Sequence, residues 1–405
     1  MRRLRWPELS RLNGARMALY AAALFALYLA FAALWTALAL SHRMMDPLGI
    51  PFGHVFIEFW TAARAALGPD PAAIYDAQRF FHMQQAVIAA ARPLYPWHYP
   101  PLTLLFLLPF ALLPYLWAVP AWYAANLAGY LTLAPPLARG RGLVWVGLAF
   151  PGTLLTLHVA QFGLLLAAAF GWALLLLDRR PRLAGALIAT LAAKPHLFLL
   201  VPLALLVSRR WRVFAWAAAG VLLLAGASAL AFGFAPWRAM LRDLSGFGAG
   251  RAGGDGFLLW SWQPSVFVMA RRLGLGAIPA DMLQAAATLG AAAGVVWAWR
   301  QPVSPALQRA ALVTAGLLAT PYLYNYDLVL LILPLAWLGW HGAEHGWLPG
   351  EKLMLLLAWL APGVIVPLAD LLGEQAGALV PAALLAVILR RIAHERRPPA
   401  GTAHA

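Results

Sequence analysis

Val55-Phe56-Ile57-Glu58-Phe59-Trp60-Thr61-Ala62-Ala63-Arg64-Ala65-Ala66-Leu67 places Phe56, Phe59, Trp60 and Ala63 at helical spacing. The pattern predicts a short amphipathic helix lying at a membrane surface. Gly68-Pro69-Asp70-Pro71 breaks it. Ile74-Tyr75-Asp76 then opens a second helix expected to run to about Ala91, with His82 and Gln85 on one side. His98-Tyr99-Pro100-Pro101 closes the segment, and a new apolar run begins at once. Residues 41–101 also hold acids (Asp46, Glu58, Asp70, Asp76), bases (Arg43, Arg64, Arg79, Arg92) and the histidines His54, His82 and His98. A loop of this length beside a membrane is functional or disordered, and its aromatic content argues against disorder. It is expected to roof an active site.

Outside this segment the chain is apolar almost throughout. Hydrophobic residues make up 63% of it and charged residues 11%, and the mean hydropathy is +0.73. These values exclude a soluble globule and predict an all-α polytopic membrane protein. The absence of period-two alternation argues against an outer-membrane barrel. There is no cysteine, so disulfides, thiolate metal sites and a cysteine nucleophile are excluded. The formal charge of +15 reads as juxtamembrane arginine held against anionic lipid, not as a nucleic-acid surface.

Arginine marks the topology. The first span is expected over Met17–Leu40, retained and starting inside, because arginines precede it. Leu102–Leu113, interrupted by Pro109 and followed by Pro114, reads as a re-entrant or half-depth helix. Tyr115–Leu137 crosses inward to Arg139 and Arg141. Spans over Gly142–Leu157 and Gly163–Leu177 flank an outer turn with His158 and Gln161. Leu183–Ala193 and Leu197–Val207 are short, with Lys194-Pro195-His196 between them. A span over Val213–Phe232 leads to a second outer loop, Gly233–Pro264. After an amphipathic piece to about Ile278, spans follow at 282–299, 306–319, 328–340, 353–369 and 375–389. The expectation is about 12 transmembrane helices in a single domain, 1–390, with both termini cytoplasmic. Residues 391–405 are expected to form a basic, disordered cytoplasmic tail.

The polar groups expected on the outer side resemble, as an ordered set, those of glycosyltransferase family 87. The set is Phe56 to Arg64, Ile74-Tyr75-Asp76, Tyr99-Pro100-Pro101, Gln161, Lys194-Pro195-His196, Gln263-Pro264-Ser265 and Thr320-Pro321-Tyr322-Leu323-Tyr324-Asn325-Tyr326-Asp327. The resemblance covers roughly residues 17–340. It implies a GT-C-like membrane fold in the bacterial inner (plasma) membrane, with an extracytoplasmic site. The implied reaction moves a hexose, mannose in particular, from a polyprenyl-phosphate-sugar donor to a glycolipid or glycan acceptor. Membrane lipids are the other expected partners; no cofactor, metal or nucleic acid is expected. The family pattern places its catalytic aspartate four residues before the aromatic matching Phe59, and that position here is Val55.

Glycosyl transfer from a sugar phosphate needs a base for the attacking hydroxyl and a cation for the departing phosphate. Glu58 is the leading base candidate, and a solvent-side carboxylate or an Arg64 partner is its other reading. His54 and Asp327 are further candidates, Asp327 alternatively capping the next span. Lys194, one of two lysines in an arginine-rich chain, suits the phosphate at the break between half-length helices; a snorkelling lysine is the alternative. Arg271 and Arg272 are further anion candidates. Tyr99, Gln161, His196, Gln263, Asn325 and Tyr326 are the expected substrate-binding groups. Most tryptophans are expected in the interfacial belt. His341 and His345, at i, i+4, are expected in a solvated loop and not at a metal. A transferase that has lost or changed its activity, and a lipid or sugar transporter, are the competing readings.

Overall fold

The computed structural model describes residues 14–89, 95–138, 141–252 and 260–396. Among these residues the regular structure is helical, joined by short turns and a single isolated bridge between Met45 and Pro51. Helix α1 (Gly14–Ser41) stands largely exposed and packs on α7 (Arg141–Leu148). Among the described residues, five segments are long and apolar enough to cross a bilayer: Arg16–Ser41, Trp211–Phe232, Ala277–Trp299, Asn325–His345 and Glu351–Leu372. Helices α2 (Phe56–Ala66), α3 (Ala77–Val87), α4 (Thr103–Ala111) and α5 (Tyr115–Leu131) follow α1. The short α6 (Ala134–Ala138) leads to α7.

The sequence pattern makes α2 amphipathic, yet the structure buries it on nearly every side. Phe56, Ile57, Phe59, Ala62, Ala63 and Ala66 are buried, and so are Glu58 and Thr61. The expected helix lying on a surface is therefore an internal one. The reason is tertiary: α3 and α4 cover it, and Phe56 stacks on Tyr115 and packs on Trp122. Gly53 fixes its start. The residue has φ +80°, and a Cβ there would lie 2.8 Å from the Tyr115 hydroxyl and 2.9 Å from Val119. Only glycine combines that backbone with that approach. The same hydroxyl donates to Phe52 O at 2.5 Å.

Proline and capping groups set the other boundaries. The expected second loop helix begins as a 3-10 turn at Pro71–Tyr75; α3 then starts from Asp76, whose carboxylate accepts the Arg79 N–H at 3.0 Å. Helix α3 ends at Val87, where Ile88 turns extended (φ −131°, ψ 103°), so it stops short of the expected Ala91, a residue that itself lies outside the described ones. The span expected over Gly142–Leu157 is split into α7 and α8 (Pro151–His158). Pro151 holds Phe150 extended (φ −57°, ψ 125°) and ends the preceding helix. Helix α9 (Gly163–Leu176) is followed by α10 (Pro181–Thr190), 3-10 turns at Leu191–Ala193 and Pro195–Phe198, and α11 (Val201–Val207). Helix α12 (Trp211–Phe232) packs along α10, where Gly185 lets the backbones meet.

The expected second outer loop is not all loop: α13 (Ala235–Ala252) occupies its first half and packs on the Pro71–Tyr75 turn. Helices α14 (Val266–Arg272), α15 (Ala277–Trp299), α16 (Pro305–Ala319), α17 (Ile332–His345), α18 (Glu351–Leu372) and α19 (Leu379–Glu395) complete the chain. The boundary drawn for a disordered tail is too early. Arg391 is buried on α19 and bonds Glu351, Glu395 and the Gly346 carbonyl, so the helix is fixed through Glu395; residues 397–405 lie outside the described residues. His341, expected in a solvated loop, is instead buried on α17 against Glu395.

Candidate active site

Four separate parts of the chain meet beside α2. Lys194 sits at the break between the 3-10 turns that follow α10. Its Nζ lies 2.5 Å from Asp327 Oδ1, with both side chains almost wholly buried. Asp327 is in the 3-10 segment Asn325–Leu331, which leads into α17. Its second oxygen, Oδ2, accepts the Tyr324 N–H at 3.1 Å. The carboxylate thus caps its own segment and grips the lysine at once. Aromatic faces enclose the ammonium, with Tyr326 4.7 Å and Phe162 5.9 Å from Nζ. Tyr326 in turn stacks on Tyr324 at 5.2 Å.

Tyr99 and Gln161 form the next part of the wall, 3.4 Å apart through the phenol oxygen and the amide. Phe59 of α2 packs on both Tyr99 and Phe162, at 5.5 and 5.4 Å, so α2 is keyed directly to the residues beside Lys194. Glu58, the neighbour of Phe59, is buried, and its Oε1 has no hydrogen-bond partner among the described residues. Burial pushes its pKa well above the ordinary carboxylate range, and the Lys194 charge pulls in the opposite direction. Arg64 does not pair with it; that guanidinium donates to the Ala111 carbonyl at 3.2 Å and lies over Trp60.

His54 stands one helical turn before Glu58 in a left-handed conformation, φ +49°. Its ring centroid is 5.7 Å from that of His158 and 5.9 Å from that of Tyr95. Burial, and then the neighbouring His158, push its pKa down to about 4, so the ring is neutral at physiological pH. His196 follows Lys194 closely and is buried at its Nε2, with its ring 6.3 Å from Tyr322.

Most of the remaining sequence candidates are engaged by other bonds, although Gln263 Nε2 and Asn325 Oδ1 stay buried without a partner among the described residues. Asn325 donates to the Pro362 carbonyl at 2.8 Å and so ties its segment to α18. Gln263 is buried in a turn that Gln375 fixes by donating to Ser261 O at 2.5 Å. Arg271 bonds the Leu275 carbonyl and lies over Trp260, and Arg272 bonds the Gly373 carbonyl. Trp60 donates to Leu113 O at 3.0 Å, which makes it a tie between α2 and the end of α4. Sequence reasoning passed over Thr61, Tyr95 and Phe162. Thr61 carried a usable signal, since it lies three residues from Glu58 on the same helical face.

No group of three or more histidine, aspartate or glutamate side chains suited to a metal ion occurs among the described residues. Neither a curated protein nor a solved structure matches this chain. The glycosyltransferase family 87 model matches residues 97–321. The match includes Tyr99, Gln161 and Lys194; it begins after α2 and stops short of Asp327. It spans more than half of the 405 residues, and the chain belongs to glycosyltransferase family 87.

Proposed function

We propose that this membrane glycosyltransferase moves a hexose, mannose in the first instance, from a polyprenyl-phosphate-sugar to a hydroxyl of a lipid-linked or glycan acceptor. The site opens on the extracytoplasmic side of a bacterial plasma membrane, in a GT-C-like arrangement of about 12 crossings with both termini cytoplasmic. One observation carries the reading. A buried carboxylate with a free oxygen, Glu58, shares its surroundings with a buried lysine, Lys194.

The roles follow from charge. The acceptor oxygen attacks the anomeric carbon, the bond from that carbon to the phosphate oxygen breaks, and Glu58 takes the acceptor proton. The departing polyprenyl phosphate gains a negative charge, which Lys194 stabilises in water-poor surroundings. Asp327 is the positioning residue for that lysine. Both of its oxygens are already engaged, so it is a weaker base candidate than Glu58. With valine at position 55, Glu58 takes over the base role that the family pattern gives to aspartate.

A hydrocarbon-bearing donor also needs room. A cavity of about 770 Å³ runs along α17 from Ile332 to Ala343, lined by Tyr20, Leu24, Trp340 and Trp359 among other chiefly apolar side chains. It starts five residues after Asp327, which suits a lipid whose phosphate sits at Lys194.

The test is transfer of radiolabelled mannose from polyprenyl-phosphate-mannose to a lipid extract by the purified protein in nanodiscs. Release of polyprenyl phosphate by wild type, lost in Glu58→Gln and Lys194→Ala, is the expected result. Donor binding with no turnover by wild type would replace the proposal with an inactive family member. Full turnover by Glu58→Gln would remove Glu58 as base.

A further inference from the structure

Of the twelve buried polar side-chain atoms without a hydrogen-bond partner among the described residues, four belong to α2 and its surroundings: Glu58 Oε1, His54 Nδ1, Thr61 Oγ1 and Tyr95 OH. Buried polar atoms are nearly always satisfied in a folded protein, so several orphans together need a cause. Their arrangement supplies one. Glu58 and Thr61 lie at i and i+3 on one face of α2, and His54 stands in the turn that precedes the helix. Tyr95 approaches from outside the helix, with its ring against that of His54. Burial, and then the neighbouring Glu58, push the Tyr95 phenol's pKa up and keep it protonated.

Tyr95 is also held on purpose. Gln84, fully buried on α3, donates from Nε2 to Tyr95 O at 2.7 Å and accepts the Tyr95 N–H at Oε1, 3.4 Å away. An amide that clamps both backbone groups of one residue fixes the backbone from which its side chain projects. The strained backbone of His54, with φ +49°, is likewise kept in place at a cost. These features describe a pre-set cluster of polar groups and not a packing accident.

We propose that His54, Thr61 and Tyr95 form the acceptor subsite, recognising the hydroxyls of a neutral sugar ring whose reacting hydroxyl points at Glu58. The chemistry separates this subsite from the phosphate end. A hydroxyl, a phenol and a neutral imidazole can each accept or donate, which matches sugar hydroxyls. None carries the positive charge that a phosphate calls for; that charge is on Lys194. Thus a neutral sugar acceptor and a charged lipid donor are sorted to opposite sides of the reaction by charge alone. The subsite rests on the transferase reading for Glu58, and the test below separates the two.

Binding of octyl α-mannoside and octyl β-glucoside to the full-length protein in nanodiscs, followed by saturation-transfer NMR, tests the subsite without any turnover. Wild type is expected to bind at least one of them. Tyr95→Phe and Thr61→Val should each weaken that binding about fivefold or more, whereas Thr61→Ser should retain it. Both weakened variants should melt no lower than wild type, because each removes an orphaned polar atom; a residue with a merely structural role would lower the melting temperature. Where transfer is measurable, the two variants should raise the acceptor KM and leave the donor KM unchanged. Wild type binding neither hexoside, or variants binding as wild type does, would overturn the subsite. Wild type that binds a hexoside but never transfers mannose would leave the subsite standing and sink the transferase reading.

Discussion

Lys194 and Asp327, 133 residues apart in sequence, are joined by a 2.5 Å bond between side chains that are 4% and 1% exposed. Removing either partner leaves an unpaired buried charge. Lys194→Met and Asp327→Leu are therefore each expected to cost about 3–5 kcal/mol, read as a lowered melting temperature in detergent. The double variant should recover most of that loss and stay inactive. Equal instability of the single and double variants would show that the pair contributes nothing as a pair.

Glu58 is the group on which pH dependence turns. Its carboxyl is held well above the usual range by burial, and as a base it must first lose that proton. Transfer should rise with pH along a limb lying above the ordinary carboxylate range. The effect on stability runs the other way. A raised folded-state pKa gives stability that is complete below the unfolded pKa and is lost as pH climbs through the folded value. Glu58→Gln should thus melt higher than wild type at alkaline pH while losing about 10²–10⁴ in turnover.

Gly316 on α16 is placed so that an added Cβ would lie 2.9 Å from the carbonyl oxygen of Leu197. That carbonyl belongs to the turn carrying Lys194 and His196, so the clash is with backbone and not with a yielding side chain. Gly316→Ala should cost roughly 1–3 kcal/mol and lower turnover by displacing Lys194. Wild-type melting and turnover in this variant would show that the turn adjusts freely.

Gly339 on α17 lines the apolar cavity, and a Cβ at that position meets no atom within 4 Å. Gly339→Leu adds bulk to the cavity without a clash at its root. The melting temperature is expected to hold or rise, while the KM for polyprenyl-phosphate-mannose increases. An unchanged KM for donors with long and short chains alike would remove the cavity as the place of the hydrocarbon.

Much of this architecture was legible in one dimension. Apolar runs predict helices and membrane spans because a bilayer demands internal backbone pairing over its full thickness. Proline positions explain the short helices around Lys194. A strictly local reading failed where a proline falls inside an apolar run. Pro151 splits a run that reads as continuous, since hydropathy does not register a missing N–H. The opposite error turned Gly233–Pro264 into a loop, because glycine and polar residues mask a first half that is helical.

For the site, the sequence by itself determined the cast: a lone lysine between half-helices, an acid on an aromatic helix, and a tyrosine before paired prolines. Only the tertiary structure decided how they are used. Burial of α2 on nearly every side isolates Glu58, the 133-residue closure brings Asp327 to Lys194, and the Gln84 clamp holds the Tyr95 backbone where its ring meets His54. The physical reason is that residue type is written locally, whereas desolvation and charge pairing depend on which distant segments come to cover a group.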